Sequence, residues 1–281
     1  MDRKRVGITV VGEDREGIVA AFTGFVFARG GNIEAVSQNV IQGLFGMYLE
    51  ASFQDLDAES FDSELHVLAG KEGMDVNVYH ASSGLQNIAV FVTKEGHCLE
   101  DLLKAASGGR LRGRISVVVG TEDTLKGRAE GAGIPFVSVR ERDQEKAEAH
   151  LIEVCRRYGI DLIVLARYMR ILTPNFVWRY PRRIINIHPS LLPAFPGAYA
   201  YMQAYERGTK IIGVTSHYVT ENLDQGPIIL QKSFPVDAED TLDSIKSTGQ
   251  RLEAETLTEA VRMHLEGRLQ VHWRKVHIRQ E

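Results

Sequence analysis

The stretch SSGLQNIAVFVTKEGHCLEDLL, residues 82–103, divides this chain into two architectures. Residues 82–87 form a short polar joint. Residues 88–93 (IAVFVT) are an apolar, largely β-branched run of strand length, and after Gly96 the side chains Leu99, Leu102 and Leu103 recur at helical spacing. The alternation continues downstream. RISVVVG (114–120), IPFVSV (134–139) and DLIVLA (161–166) are further strand candidates. Between them, residues 141–158 carry Ala147, Leu151, Val154, Cys155 and Tyr158 on one helical stripe. KIIGVTSHYVT (210–220) and GPIILQKSF (226–234) add two strands before a closing helix around 240–265. This α/β alternation predicts a Rossmann-like, mainly parallel sheet with helices on both faces. Ligands of such sheets sit beyond the carboxyl ends of the strands.

Upstream of the joint the rhythm differs. RVGITVVG (5–12) reads as a strand, and a helix follows from Asp14 to the stop at Gly30-Gly31, with Ile18, Ala21, Phe22 and Phe25 at helical spacing. NIEAVSQNVI (32–41) and GMYLEASF (46–53) are strands joined by a turn bearing Gly43. An amphipathic helix (57–73) and a last strand (74–81) complete the order β-α-β-β-α-β, the ferredoxin-like split unit. The expected domains are therefore 1–84 and 85–281.

Composition narrows the function classes. The chain has 281 residues, 44% of them apolar and 25% charged, as in ordinary folded soluble proteins. A net charge of −4 gives no electrostatic reason to expect nucleic acid. No stretch approaches the ~20 apolar residues that span a bilayer. Cys98 and Cys155 lie far apart, outside any C-x-x-C pattern, which argues against a disulfide framework or a zinc site and suits a reducing cytoplasm.

The chemistry concentrates in INIHPSLLP (185–193). On a strand, Asn186 and His188 share a face at its end, with Ile185 and Ile187 on the other. In SHYVTENLDQGPI (216–228), Thr215 and His217 point one way and Asp224 sits in the following loop. An amide that donates to an oxyanion, an imidazole that shuttles a proton and a carboxylate that orients it make a general acid/base set. Each residue taken singly also has a structural reading: His188 as a hydrogen-bonded strand end, Asp224 as a turn former, His217 as the edge of a sheet. A metal held by His188, His217 and Asp224 matches no compact zinc spacing. Cys98 reads as part of a core-facing helix rather than a nucleophile.

These residues carry a resemblance. NIHPSLLPAFPGA (186–198), followed by QAYERGTKIIGVTSHYVTENLDQGPII (203–229), resembles the signature of the folate-dependent formyltransferases. The resemblance implies Asn186, His188 and Asp224 as catalytic residues. It places Arg170, Ile171 and Leu172 of ARYMRIL (166–172) against the pterin, largely through backbone groups. Residues from Val219 through Thr220 and Glu221 to Asp224 would form the other wall, with Thr215 and His217 lining the cleft. EDREGIVAAFTGFVFARGGNIEAVSQNV (13–40) is similar to an ACT domain. An ACT domain before such a catalytic domain resembles the formyltetrahydrofolate deformylases along nearly the whole chain. That implies hydrolysis of 10-formyltetrahydrofolate to formate and tetrahydrofolate, in support of purine synthesis and one-carbon balance. It also implies no cofactor beyond the folate, no metal, glycine or methionine as an effector at the ACT domain, and a homo-oligomer, dimer or tetramer.

The related glycinamide ribonucleotide transformylases carry a Gly/Ser-rich phosphate loop after the first strand of this domain; here that place reads FVTKEGHCLED (91–101), which disfavours a phosphorylated acceptor. Three positions depart from the deformylase pattern. Pro189 stands where a second histidine is usual, Tyr199-Ala200-Tyr201-Met202 replaces Asn-Pro-Tyr-His, and Gly120-Thr121-Glu122 replaces Ser-Asn-His. Two alternatives stay open on sequence: a formyltransferase acting on an unphosphorylated amine, and a folate or amino-acid sensor without catalysis.

Overall fold

The computed structural model describes residues 3–80, 84–195, 197, 199–272 and 275–279. Ser82 and Ser83 of the polar joint, and Pro196 and Ala198 of the proline-rich loop, lie outside them. The chain divides into two compact units, one of 1–84 with 172–181 and the other of 85–171 with 182–281.

The first unit runs β1 (Lys4–Glu13), α1 (Ile18–Ala28), β2 (Asn32–Ile41), β3 (Leu44–Phe53), α2 (Ala58–Lys71) and β4 (Met74–His80). Its sheet has the order β2-β3-β1-β4 and every pairing is antiparallel, the ferredoxin-like arrangement. Period-2 alternation along the central strands sends Val6, Ile8 and Val10 of β1 and Met47, Leu49 and Ala51 of β3 into one core with Phe22 and Leu65 of the helices. Phe61 stands edge-on between Phe25 and Phe53, with ring centroids 5.3 and 5.2 Å away. Asp57 caps α2 by accepting from the Ser60 amide.

The second unit runs β5 (Gln86–Val92), α3 (His97–Ser107), β6 (Gly113–Gly120), α4 (Lys126–Gly131), β7 (Phe136–Ser138), α5 (Gln144–Arg157) and β8 (Leu162–Ala166). The chain then enters 172–181, which contains α6 (Pro174–Val177) and is counted with the first unit. There Arg179 pairs with Asp75, the Tyr79 hydroxyl donates to the Arg179 carbonyl, and Trp178 lies so close to Gly46 that a Cβ there would come within 2.2 Å of its ring. A local strand pattern carries no sign of this excursion.

The second unit resumes with β9 (Ile184–His188), α7 (Ala200–Glu206), β10 (Ile211–Tyr218), β11 (Ile228–Pro235) and α8 (Leu242–Leu265), and ends in a hairpin, β12 (Leu269–His272) and β13 (Lys275–Ile278), that the sequence reading did not anticipate. Its seven-stranded sheet has the order β11-β10-β9-β8-β5-β6-β7. β9, β8, β5, β6 and β7 are parallel, β10 turns back antiparallel to β9, and β11 pairs antiparallel with β10 and so runs with the other five. β5 and β8 are buried almost throughout, as their continuous apolar runs require. In α3 Leu99 and Leu102 are core and Leu103 is half-buried; in α5 Ala147, Leu151, Val154 and Cys155 are core and Tyr158 is half-buried. α8 starts on a capping box between Thr241 and Ser244 and carries a buried line through Ile245, Gly249, Glu253 and Leu257. No helix among the described residues is long and apolar enough to cross a membrane.

Two outcomes follow from this packing. Leu99 is fully buried, so Leu99→Ala should cost about 2–5 kcal/mol in denaturant unfolding, the transfer loss plus the cavity. His264 Nδ1 on α8 lies within hydrogen-bond distance, 2.7 Å, of the Tyr218 hydroxyl. Burial, with the Arg183 charge second, lowers its pKa from the ordinary 6.5 to about 4. The unfolded chain therefore binds this proton first, so the contribution is complete above the unfolded value and is lost as pH falls toward about 4. Replacing His264 by Gln should flatten that part of the stability–pH curve by on the order of 1–2 kcal/mol, read as chemical denaturation at pH 7 and pH 4.5.

Candidate functional site

The site is built on one strand pair. β9 and β10 run antiparallel with Asn186 opposite His217 and His188 opposite Thr215. Directly paired residues share a face, so all four side chains emerge on the same side of the sheet. Ile185 and Ile187 fill the core behind them. The β10–β11 register shifts between Ser216 and His217, a bulge of the kind that re-aims a side chain beside a site.

His217 is 2% exposed. Its Nδ1 meets the Tyr218 carbonyl at 2.9 Å and its Nε2 meets Asn186 Nδ2 at 3.2 Å. A carbonyl only accepts and an amide nitrogen only donates, so the consistent tautomer carries its proton on Nδ1 and accepts from Asn186 at Nε2. Burial, its largest influence, lowers the His217 pKa, which agrees with this neutral ring. The contact also fixes the amide orientation of Asn186 and consumes one of its two N–H donors.

His188, 5% exposed, faces an acceptor at each ring nitrogen. Its Nε2 lies 2.9 Å from the Phe195 carbonyl, and its Nδ1 lies 3.4 Å from Asp224 Oδ2. A carbonyl only accepts, so Nε2 carries a proton, and Nδ1 faces the carboxylate at ion-pair distance. Asp224 has the left-handed φ of 54°, which aspartate tolerates better than most residues. Its Oδ2 also accepts from the Gly197 amide at 3.0 Å, and its Oδ1 stands 3.8 Å from His217 Nε2. Gly226, two residues on, must be glycine: a Cβ there would sit 1.7 Å from the Tyr218 carbonyl. The structure thus brings Asn186, His188, His217 and Asp224 together.

Thr215 is fully buried and acts on the loop rather than on open space. Its hydroxyl donates to the Ser190 carbonyl at 2.7 Å and accepts from the Leu192 amide at 3.0 Å. Together with the Ser190 hydroxyl, which donates to the Ala194 carbonyl, it pins the chain after Pro189. The Leu192–Pro193 peptide is cis. Phe195 and Gly197, whose backbone groups complete the site, carry no side-chain signal for this role in sequence.

The 167–171 loop leaves β8 at the same carboxyl edge. Arg167 holds a left-handed φ of 62°, a conformation that costs a residue with a Cβ about 1–3 kcal/mol. The Met169 amide donates to Thr93 at 3.0 Å, Arg170 donates to the Glu141 carbonyl and to Gln144, and Gln144 donates to the Ile171 carbonyl at 2.9 Å. Met169 and Ile171 are left exposed at 57% and 65%. Leu172 is buried and begins the segment counted with the first unit. On the other side, the Val219 amide donates to the Ile184 carbonyl, while Thr220 and Gln225 both bond to the Asn222 carbonyl. Glu221 is half-buried in that turn.

One further group escaped the sequence reading. Glu253 is 0% exposed, in the middle of α8. An acidic residue at four-residue spacing within the line Ile245, Gly249, Leu257 was the available signal. Its Oε1 accepts from the Tyr201 hydroxyl at 2.7 Å; its Oε2 lies 3.2 Å from His97 Nε2 and 3.5 Å from Arg167 Nε. Arg167 also donates to Glu95 at 2.9 Å. Among the described residues, His97, Cys98 and Glu253 have ligand atoms within 4.8 Å of one another. Burial pushes the Cys98 thiol well up, and Arg167 and Tyr201 already engage both oxygens of Glu253, so the group reads as an ionic network rather than a metal centre.

Comparison with known proteins places the chain in a family. A family model described as Formyl transferase matches residues 86–261, and one described as ACT domain matches residues 4–79. A formyltetrahydrofolate deformylase of Bacillus subtilis is 41% identical over 269 residues, covering 93% of this chain and 89% of the relative. The crystal structure of a formyltetrahydrofolate deformylase from Pseudomonas syringae pv. tomato superposes with a TM-score of 0.69 at 33% identity, over 99% of this chain and 95% of that one. A glycinamide ribonucleotide transformylase from Symbiobacterium toebii superposes with a TM-score of 0.67 at 37% identity, over 72% of this chain and 97% of that one. With its ACT unit, its formyl transferase unit and relatives that match it along almost their full length, the chain belongs to the formyltetrahydrofolate deformylase family.

Proposed function

We propose that the chain hydrolyses 10-formyltetrahydrofolate to formate and tetrahydrofolate, with Asn186, His188 and Asp224 as the reacting groups. The observation that carries this reading is the convergence of a fixed amide, a doubly engaged imidazole and a buried carboxylate at the carboxyl edge of β9. The pterin lies between the 167–171 loop and the 219–224 loop, with exposed Met169 and Ile171 offering apolar surface and Arg170 and Ile171 their backbone. Asp224 takes a proton from water through Oδ1 as the water oxygen bonds to the formyl carbon. The second N–H of Asn186 and the Nε2–H of His188 receive the oxyanion. The Phe195 carbonyl now holds that His188 proton, so the formyl oxygen takes its place. Collapse of the tetrahedral intermediate breaks the bond from carbon to N10, which takes the proton that Asp224 collected from water, and the formic acid released loses its hydroxyl proton to solvent as formate.

Water as acceptor is supported by the match of deformylases to both units, where the transformylase matches 72% of the chain. No cofactor beyond the folate enters these steps. The ACT unit is assigned to an amino-acid effector, glycine or methionine, and to pairing of chains into a dimer or tetramer. Cys98 and Cys155, both buried and outside any disulfide, suit a cytoplasmic enzyme.

The test is purified protein with 10-formyltetrahydrofolate and no amine, followed by formate and tetrahydrofolate release. Release without amine is expected; release only on adding an amine identifies a transferase, and binding without turnover a sensor. Asn186→Ala should lower turnover by about 10²–10³ while tetrahydrofolate still binds, as for loss of one oxyanion donor. Unchanged formate release in this variant removes Asn186 from the mechanism. Titration calorimetry with glycine and with methionine should give heat with at least one; silence with both leaves the ACT unit a pairing module.

A further inference from the structure

The Glu253 network lies at the same edge as the reacting groups but takes no part in the steps above. Its members come from four segments of the second unit: Glu95 and His97 where β5 gives way to α3, Arg167 directly after β8, Tyr201 in α7, and Glu253 in α8. A fully buried carboxylate is a costly way to fill space, since apolar residues of similar volume pack there at no loss of stability. Burial by itself would raise the pKa of Glu253. The contacts with His97, Arg167 and Tyr201 outweigh it and hold the group below the usual carboxylate range, so it is ionised.

Each oxygen serves a different piece of the site. Oε2 forms an ion pair with Arg167 at 3.5 Å, beside the hydrogen bond that Arg167 donates to Glu95, and the left-handed backbone of Arg167 starts the 167–171 loop. Oε1 holds Tyr201, in the helix that directly follows the loop supplying the Phe195 carbonyl to His188 and the Gly197 amide to Asp224. The Tyr201 ring is also seated against Gly249, one turn before Glu253, where a Cβ would come within 2.3 Å of its hydroxyl. A Phe at 201 would keep this packing and lose only the hydrogen bond.

We infer that Glu253 is a positioning residue with two separable arms: through Arg167 it sets the folate-binding loop, and through Tyr201 it sets the loop that holds His188 and Asp224. The inference rests on reading 167–171 as a folate wall. It does not require Glu253, Arg167 or Tyr201 to touch the reacting atoms.

The arms make different kinetic errors when cut. Steady-state hydrolysis of 10-formyltetrahydrofolate by Arg167→Met should show KM raised about tenfold with kcat within about twofold, since a charge-assisted bond to the binding loop is lost. For Tyr201→Phe, kcat should fall about tenfold with KM within about twofold, because a small displacement of reacting groups acts on the chemical step. Glu253→Gln should show both effects, with a smaller rise in KM than Arg167→Met, because the Arg167 Nε–H still donates to Glu95 in that variant. Melting curves recorded alongside separate a folding defect from a positioning one. If the folded variants keep wild-type KM and kcat, or if every variant loses only melting temperature, Glu253 is structural and the inference is overturned. The same follows if both arms move KM and kcat alike. A wild-type protein that releases no formate would instead overturn the functional reading.

Discussion

The antiparallel pairing of β9 with β10 is the constraint on which the site depends. It sets Asn186 against His217 and His188 against Thr215, so four polar side chains share one face of a sheet whose other face is apolar core. A slip of one residue in this register would exchange Asn186 and His188 for Ile185 and Ile187, burying the reacting groups and exposing the isoleucines. The buried isoleucines therefore enforce the catalytic register, and stability of the sheet and geometry of the site are one requirement.

Protonation follows from that geometry. His217 gives its Nδ1 proton to a carbonyl and meets the Asn186 amide with a lone pair, while His188 faces acceptors at both nitrogens. The two histidines thus serve differently, His217 neutral and orienting an amide, His188 offering its Nε2 proton to a carbonyl. The difference comes from partners and burial rather than from residue type. Asp224 links the two, because its carboxylate lies beside both rings.

Part of the site is backbone. The Phe195 carbonyl, the Gly197 amide and the left-handed turns at Arg167 and Asp224 place groups that side chains then use. The backbone positions in turn depend on buried residues of no obvious chemical promise: Thr215 on the loop after Pro189, Gly226 whose lack of a Cβ admits the Tyr218 carbonyl, and Glu253 between two helices and the 167–171 loop.

Local periodicity and motif content sufficed for much of this protein. The change of rhythm at residues 82–103, the β-α-β-β-α-β order before it and the strand–helix alternation after it are short-range patterns, and they determine both folds because apolar spacing decides which face each element must bury. That Asn186, His188 and Asp224 would meet was legible for a related reason: polar groups at a strand end and in a turn after the next strand are close in sequence to their own structural cues. Tertiary structure alone decided the rest. The antiparallel return of β10, the C-terminal hairpin and the membership of 172–181 in the first unit depend on partners distant in the chain. Glu253 meets Arg167, His97 and Tyr201 across separations that no local pattern spans, and the neutral ring of His217 exists only once folding has supplied its neighbours. Spacing along the chain governs what each element buries; which polar groups meet, and in which protonation state, is a property of the three-dimensional contacts.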